Sequence, residues 1–241
     1  RFVLMNRLFI SAAHKSSGKT MISIGLAAAF ARQGQSVAAF KKGPDYIDPI
    51  WLQAATGRPC WNLDFFTMSH EEISDCFRRQ ALGVSIALIE GNKGLHDGLD
   101  VEGSDSSAAL AKLLNCPVVL VLDVTGITRG IVPLIEGYQA FDPQVNLVGV
   151  ILNRVGEVRH EEKLRAAIGH YCNLPILGSI GRSDVLHIKE RHLGLVPGNE
   201  REDTGTRVQQ LADQIERDID REIERQSVRS SDRSSDRATD R

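Results

Sequence analysis

The segment Ala13-His14-Lys15-Ser16-Ser17-Gly18-Lys19-Thr20 constrains this chain more than any other. It follows a short apolar run, Leu8 to Ala12, and precedes a helix-forming stretch from Lys19 to about Gln33. A strand, a glycine-bearing loop ending in Lys-Thr and a helix together make a phosphate-binding loop. Each part has a physical reason. Successive backbone N–H groups at a helix N-terminus form an anion nest. Gly18 lets the backbone approach the phosphates, the Lys19 ammonium reaches the β and γ phosphates, and the Thr20 hydroxyl can ligate Mg²⁺. Ser16, Ser17, Gly18, Lys19 and Thr20 are therefore the expected ATP-binding residues. Two departures stand out. The usual first glycine of such a loop is Ala13 here. Lys15 reads either as a second loop lysine acting across a dimer, one position later than that pattern, or as a solvent-exposed side chain.

Further apolar runs alternate with helical stretches. Ser36 to Lys41, Val84 to Glu90, Pro117 to Asp123 and Asn146 to Asn153 read as strands, with Leu174 to Ile180 as another. Helices fit at Asp105 to Leu114, Ile131 to Phe141 and Glu161 to Tyr171. Nearly continuous apolar strands suit a sheet buried on both faces, and the alternation implies parallel pairing. The expected fold class is α/β, of the P-loop NTPase type, with a mostly parallel sheet flanked by helices. Residues 1–200 carry this domain. Residues 201–225 read as a helical extension, because Val208, Leu211, Ile215, Ile219 and Ile223 recur near helical spacing. Residues 226–241 are almost devoid of apolar side chains and read as a disordered tail.

Composition excludes several classes. With 29 basic and 31 acidic residues the net charge is −2, which argues against nucleic-acid binding. No apolar run reaches the ~18 residues of a membrane span, and the start lacks a signal-peptide pattern. Four widely spaced cysteines without a CxxC pair suit reduced thiols in a cytoplasmic protein. Cys116 reads as core packing. No clustered metal ligands and no Ser-His-Asp arrangement occur in a recognisable context.

Two acidic loops carry the remaining chemistry. Lys41-Lys42-Gly43-Pro44-Asp45-Tyr46-Ile47-Asp48-Pro49 follows a strand, at the sheet edge where open α/β folds hold ligands. Asp45 or Asp48 could hold Mg²⁺, a hard cation that prefers oxygen donors. Lys41 and Lys42 could neutralise a substrate carboxylate; the alternative is a charged surface turn. Glu90-Gly91-Asn92-Lys93-Gly94-Leu95-His96-Asp97-Gly98 ends another strand. Glu90 is the expected second Mg²⁺ contact, with Asp123 as its competitor. Its glycines suggest a backbone that passes close to a ligand. His96 and Asp97 could orient the reacting group. Asn153, at a strand end, either reads an adenine edge or caps a turn.

These loops together resemble the cobyrinic acid a,c-diamide synthase family. Lys41 to Pro49 looks like its hallmark and Glu90 to Gly98 like its second signature. Asn62-Leu63-Asp64 and Arg191-His192-Leu193-Gly194-Leu195 are similar to further family segments, so the likeness runs from about Arg7 to Glu200. Dethiobiotin synthetase and the MinD-like ATPases are wider relatives. The resemblance implies ATP-dependent phosphorylation of a peripheral acetate carboxylate of a tetrapyrrole, followed by displacement by ammonia. It implies that Asp45, Asp48, Glu90 and Asp97 serve metal, nucleotide and substrate beside Lys19, with Thr20, Asp45 and Glu90 around Mg²⁺. Tyr46 falls with Lys41 and Lys42 on the expected substrate side. Such enzymes take ammonia from glutamine through a glutaminase domain with a Cys nucleophile, and no cysteine here sits in that context. That domain is expected outside this chain, as a removed segment or a separate protein, or else free ammonia is used, and the assembly is expected to be a homodimer. Asn92-Lys93 and the Ala-His-Lys loop lean toward the branch acting on sirohaem-type substrates. Two other functions compete: a dethiobiotin-synthetase-like ligase, and a MinD- or ParA-like ATPase switch.

Overall fold

The computed structural model describes residues 6–183, 190–191, 194–195 and 203–219. The sheet is built from β1 (Asn6–Ala12), β2 (Val37–Lys42), β3 (Cys60–Leu63), β4 (Ile86–Glu90), β5 (Val118–Asp123), β6 (Leu147–Val155) and β7 (Ile176–Gly181). Between them lie α1 (Lys19–Arg32), α2 (Ile47–Thr56), α3 (His70–Gln80), α4 (Ser107–Leu113), α5 (Ile131–Phe141) and α6 (Val158–Tyr171). A two-stranded antiparallel pair, β8 (Glu190–Arg191) and β9 (Gly194–Leu195), and a helix over 204–219 (α7) follow. The expected tail over 226–241, with His192 and Leu193, lies outside the described residues.

The seven strands run β3-β2-β4-β1-β5-β6-β7, and every pairing in this sheet is parallel. Alternation along each strand divides the core in two. Phe9, Ala87, Ile89, Leu120 and Leu152 face one layer, with α3, α4, α5 and α6. Ile10, Leu88, Val119, Val121 and Ile151 face the other, with α1, α2 and α7. Both faces are covered, which is why these strands are apolar throughout. Cys116 is buried in the first layer.

Three elements lie where the sequence pattern suggests only loops: α2, β3 and α3. The first-turn amides of α2 are capped by Asp45, whose Oδ1 accepts from Ile47 N at 2.9 Å and Asp48 N at 3.1 Å. Pro49 falls in that first turn, where it displaces no helical hydrogen bond. Helix α3 is polar, with Ile73 and Phe77 buried, and starts at a capping box formed by Ser69 and Glu72. At β3, Asn62 clamps the preceding turn: its Nδ2 donates to Asp45 O at 2.7 Å, and its Oδ1 accepts from Asp45 N at 3.2 Å.

The order of the strands places β1 between β4 and β5, so their C-terminal ends form one crevice. Helix α1 lies over this crevice and is held from outside by α7. Val208, Leu211, Ala212 and Ile215 are buried against it. Arg32 donates to Asp213 at 2.7 Å and to Glu216 at 2.8 Å. The close approach requires Gly25: a Cβ there would lie 2.5 Å from Ile215 Cγ1 and 3.0 Å from the Leu211 carbonyl oxygen. Glycine to alanine inside a helix normally gains up to about 1 kcal/mol. At this site overpacking outweighs that gain, so Gly25→Ala lowers stability by about 1–3 kcal/mol in urea unfolding. An unchanged or raised stability would mean that α7 does not pack as described.

Candidate functional site

The phosphate loop runs from the end of β1 into α1. Gly18 adopts a left-handed conformation, with φ of 93°, immediately before the first helical residue. A Cβ at this position would lie 2.2 Å from Asn153 Nδ2. Asn153 donates from that atom to the Ser17 carbonyl oxygen at 2.8 Å, while its Oδ1 is buried without a partner. In this arrangement Asn153 braces the loop and keeps one acceptor free. Ser17 is buried and donates to the His14 carbonyl at 2.8 Å, whereas Lys15 and Ser16 are exposed. The Ala13 carbonyl, where a glycine is usual, accepts from the Tyr138 hydroxyl at 2.5 Å. Tyr138 in turn stacks on His96, so α5 and the loop after β4 both fix the entry to the phosphate loop.

Four elements deliver one polar cluster beside this loop. Thr20 from α1 donates its hydroxyl to Glu90 Oε1 at 2.6 Å and to Asp48 Oδ2 at 3.3 Å. Lys41 from β2 donates to the same two oxygens, at 3.0 Å and 2.6 Å, and to the Gly91 carbonyl at 3.2 Å. Those three bonds use all three of its ammonium donors. Asp45 stands at 4.0 Å from the same nitrogen. Lys41 and Glu90 are register partners on adjacent strands, so both project to the same side. Glu90 is fully buried, and burial raises its pKa, with Asp48 adding to the effect against Lys41 and Thr20. Burial also raises the pKa of Asp45, helped by Asp48. For Lys41, burial acts to lower the pKa, but Glu90 and Asp48 override it, so the ammonium is held protonated.

Lys19 is buried, and desolvation lowers its pKa while Glu90, Asp48 and Asp97 oppose that shift. No carboxylate oxygen among the described residues lies within 4.0 Å of its nitrogen. Asp97 accepts from Gly94 N at 2.8 Å and does not join the Thr20 cluster. Tyr46, the residue before α2, is 70% exposed. Lys42 is buried but lies on the opposite face of β2 from Lys41; desolvation lowers its pKa against the pull of Asp105 and Asp64. The competing acid, Asp123, pairs with Arg154 and accepts from Thr125 N at 3.0 Å. Burial opposes its ionisation, yet these contacts hold its pKa below the usual range. The Thr20 hydroxyl is therefore served by Glu90 and not by Asp123.

The cluster suits a divalent cation bound with phosphates. Mg²⁺ takes one or two protein oxygens and fills its shell with phosphate oxygens and water. Glu90 Oε2 is buried and has no partner, beside the Thr20 hydroxyl. Among the described residues no group of three or more His, Cys, Asp or Glu side chains forms a metal site alone. Tyr138 carries no signal in the sequence beyond its helix, and Asn62 stands out only as part of the Asn62-Leu63-Asp64 segment; its clamp on the Asp45 turn depends on strand β3.

Lys41 carries the cluster electrostatically. Removing it strands two acids in a buried site, so Lys41→Met costs about 3–5 kcal/mol in urea unfolding at neutral pH. The double variant Lys41→Met/Glu90→Gln recovers part of that loss. A single variant within about 1 kcal/mol of the wild type would show that the acids need no buried counter-ion.

Comparison with known proteins agrees with this geometry. Residues 9–196 match the family described as the CobQ/CobB/MinD/ParA nucleotide binding domain. The chain is 51% identical over 210 residues to a cobyrinate a,c-diamide synthase of Magnetococcus marinus, covering 87% of this chain and 45% of that protein. It is 45% identical to a cobyrinate a,c-diamide synthase of Methanosarcina acetivorans, covering 80% of this chain and 40% of the relative. It is 42% identical to a hydrogenobyrinate a,c-diamide synthase of Brucella anthropi, covering 88% and 48% respectively. The chain thus spans less than half the length of these relatives. Among solved structures, chloroplast FtsY from Physcomitrella patens is similar in fold, with a TM-score of 0.50 and 19% identity. That match covers 86% of this chain and 65% of FtsY. No helix among the described residues is long and apolar enough to cross a membrane.

Proposed function

Since the chain belongs to the CobQ/CobB/MinD/ParA nucleotide binding domain family, we propose that it is the ATP-using unit of a ligase that amidates peripheral acetate carboxylates of a tetrapyrrole. The observation that carries this reading is the Thr20–Glu90–Asp48–Lys41 cluster beside the phosphate loop. The relatives' names supply the substrate class: cobyrinate and hydrogenobyrinate.

The chain's own groups divide the work. Backbone amides of Ser16 to Thr20 cradle the phosphates, and Lys19 counters charge on the transferring phosphoryl group. Thr20, Glu90 and one or both of Asp45 and Asp48 would hold Mg²⁺, which would supply positive charge to offset that of the phosphates. The Oδ1 of Asn153, without a partner among the described residues, would accept from the adenine amino group. Asp97, held by the Gly94 amide beside the phosphate loop, orients the reacting carboxylate. A substrate carboxylate oxygen bonds to the γ phosphorus, the β–γ bridge breaks, and ADP departs. Ammonia then bonds to the acyl carbon, phosphate leaves with the former carboxylate oxygen, and the nitrogen gives up a proton to solvent. Ammonia comes from glutamine through a glutaminase unit outside this chain, and the enzyme works in the cytoplasm as a homodimer.

Lys19→Ala tests the phosphate-loop assignment. It lowers ATP turnover by about a hundred-fold or more, while Cys116→Ala affects folding stability and leaves turnover per folded molecule unchanged. Mass spectrometry of cobyrinate incubated with ATP, Mg²⁺ and ammonia should reveal amide products. Amidation of sirohaem alone would move the assignment to that branch. Turnover only with diaminopelargonic acid and CO₂, or only ATP-dependent binding to liposomes or DNA, would replace it.

A further inference from the structure

Lys42, like Lys19, is a nearly buried cation whose nitrogen has no carboxylate at hydrogen-bond distance among the described residues. Its side chain is 8% exposed, and its nitrogen makes no hydrogen bond among the described residues. The nearest carboxylate oxygen, Asp105 Oδ2, lies at 3.9 Å, beyond hydrogen-bond range. Its other acidic neighbour, Asp64, is already engaged: Oδ1 accepts from Phe66 N at 3.1 Å and Oδ2 from the Thr67 hydroxyl at 2.8 Å. Asp105 Oδ1 accepts from Leu99 N at 2.7 Å. Lys93, with its own left-handed backbone, lies near enough for its positive charge to lower the Lys42 pKa further. The Lys42 nitrogen is not sealed from solvent, so its three donors are open to an incoming anion, with Asp105 as its one ion-pair partner among the described residues.

The surroundings describe that anion. The two aspartates beside Lys42 each fix the backbone of an exposed apolar residue: Asp64 holds Phe66, 83% exposed, and Asp105 holds Leu99, 78% exposed. A cationic seat with an apolar rim suits a carboxylate attached to a large apolar frame. Lys41 cannot fill this role, because its three donors are spent on Asp48, Glu90 and Gly91.

We propose that Lys42, aided by Lys93, is the receptor for a substrate carboxylate that is not itself phosphorylated, and that Phe66 and Leu99 meet the frame that carries it. This rests on reading the substrate as a polycarboxylate. The phosphoryl chemistry proceeds on the Lys41 side of β2, and Lys42 grips the substrate from the other side. Lys42 is thus a specificity-determining residue that tells polycarboxylates from monoacids.

The experiment pairs apo stability with equilibrium binding for the wild type, Lys42→Met and Lys42→Arg, at saturating ATP without Mg²⁺. Lys42→Met is expected to be at least as heat-stable as the wild type, since the charge it removes has only a long ion pair to Asp105. It should bind cobyrinate about ten-fold or more weaker, with ATP affinity unchanged. Lys42→Arg should keep most of the cobyrinate affinity. A destabilised Lys42→Met would make Lys42 a structural partner of Asp105 and overturn the proposal, as would wild-type cobyrinate affinity in that variant. If the wild type binds ATP but not cobyrinate, the substrate reading fails and tricarballylate decides on Lys42. Binding of that triacid by the wild type and not by Lys42→Met upholds the receptor; equal or absent binding in both overturns it.

Discussion

Two oxygens, Glu90 Oε1 and Asp48 Oδ2, are the point on which this site is built. The Thr20 hydroxyl and the Lys41 ammonium both donate to them. The four side chains come from α1, β2, α2 and β4, so the cluster exists only when those elements are in register. Burying two carboxylates side by side is unfavourable without a counter-ion. Lys41 supplies it from the neighbouring strand, using all of its donors. The acids are thereby held beside the phosphate loop by the protein's own groups, a preorganised arrangement of charge.

The pleat of β2 separates two further tasks. Consecutive residues on a strand point to opposite faces, so the pair Lys41-Lys42 puts one ammonium on each side. One is saturated and internal; the other makes no hydrogen bond among the described residues and pairs only at 3.9 Å with Asp105. Two adjacent lysines of the same type thus differ completely in what they can still bind. The same turn continues into Asp45, which caps α2 through Ile47 N and Asp48 N. The start of α2 and the position of Asp48 are therefore set by one residue.

Much of this frame was legible in the sequence. The phosphate loop, α1 and the strands β1, β2, β4, β5 and β6 announce themselves through continuous apolar runs, because a sheet covered on both faces leaves no room for polar residues. Glu90 and Asp123 both end apolar strands, and the structure separates their surroundings: Glu90 meets Thr20 and Lys41, Asp123 meets Arg154 and Thr125. The segment between Gly43 and Leu82 was the least legible. Helix α2 opens on Pro, Asp and Tyr, which read as turn residues; β3 is a four-residue edge strand with only Leu63 fully buried; α3 buries only Ile73 and Phe77. The Ser69-to-Glu72 capping box was the one readable signal for α3. The different fates of Lys41 and Lys42, and the bracing of Ser17 by Asn153, are long-range pairings that no local pattern encodes.

The central claim is that this cluster activates a carboxylate by phosphorylating it. Heavy-oxygen label in the substrate carboxylates tests it most directly. The protein would be given labelled cobyrinate, ATP, Mg²⁺ and ammonia, and the released inorganic phosphate analysed by mass spectrometry. Transfer of one labelled oxygen into phosphate for each amide formed is the predicted result, because the acyl oxygen leaves with the phosphoryl group. Amide formation with unlabelled phosphate would contradict it.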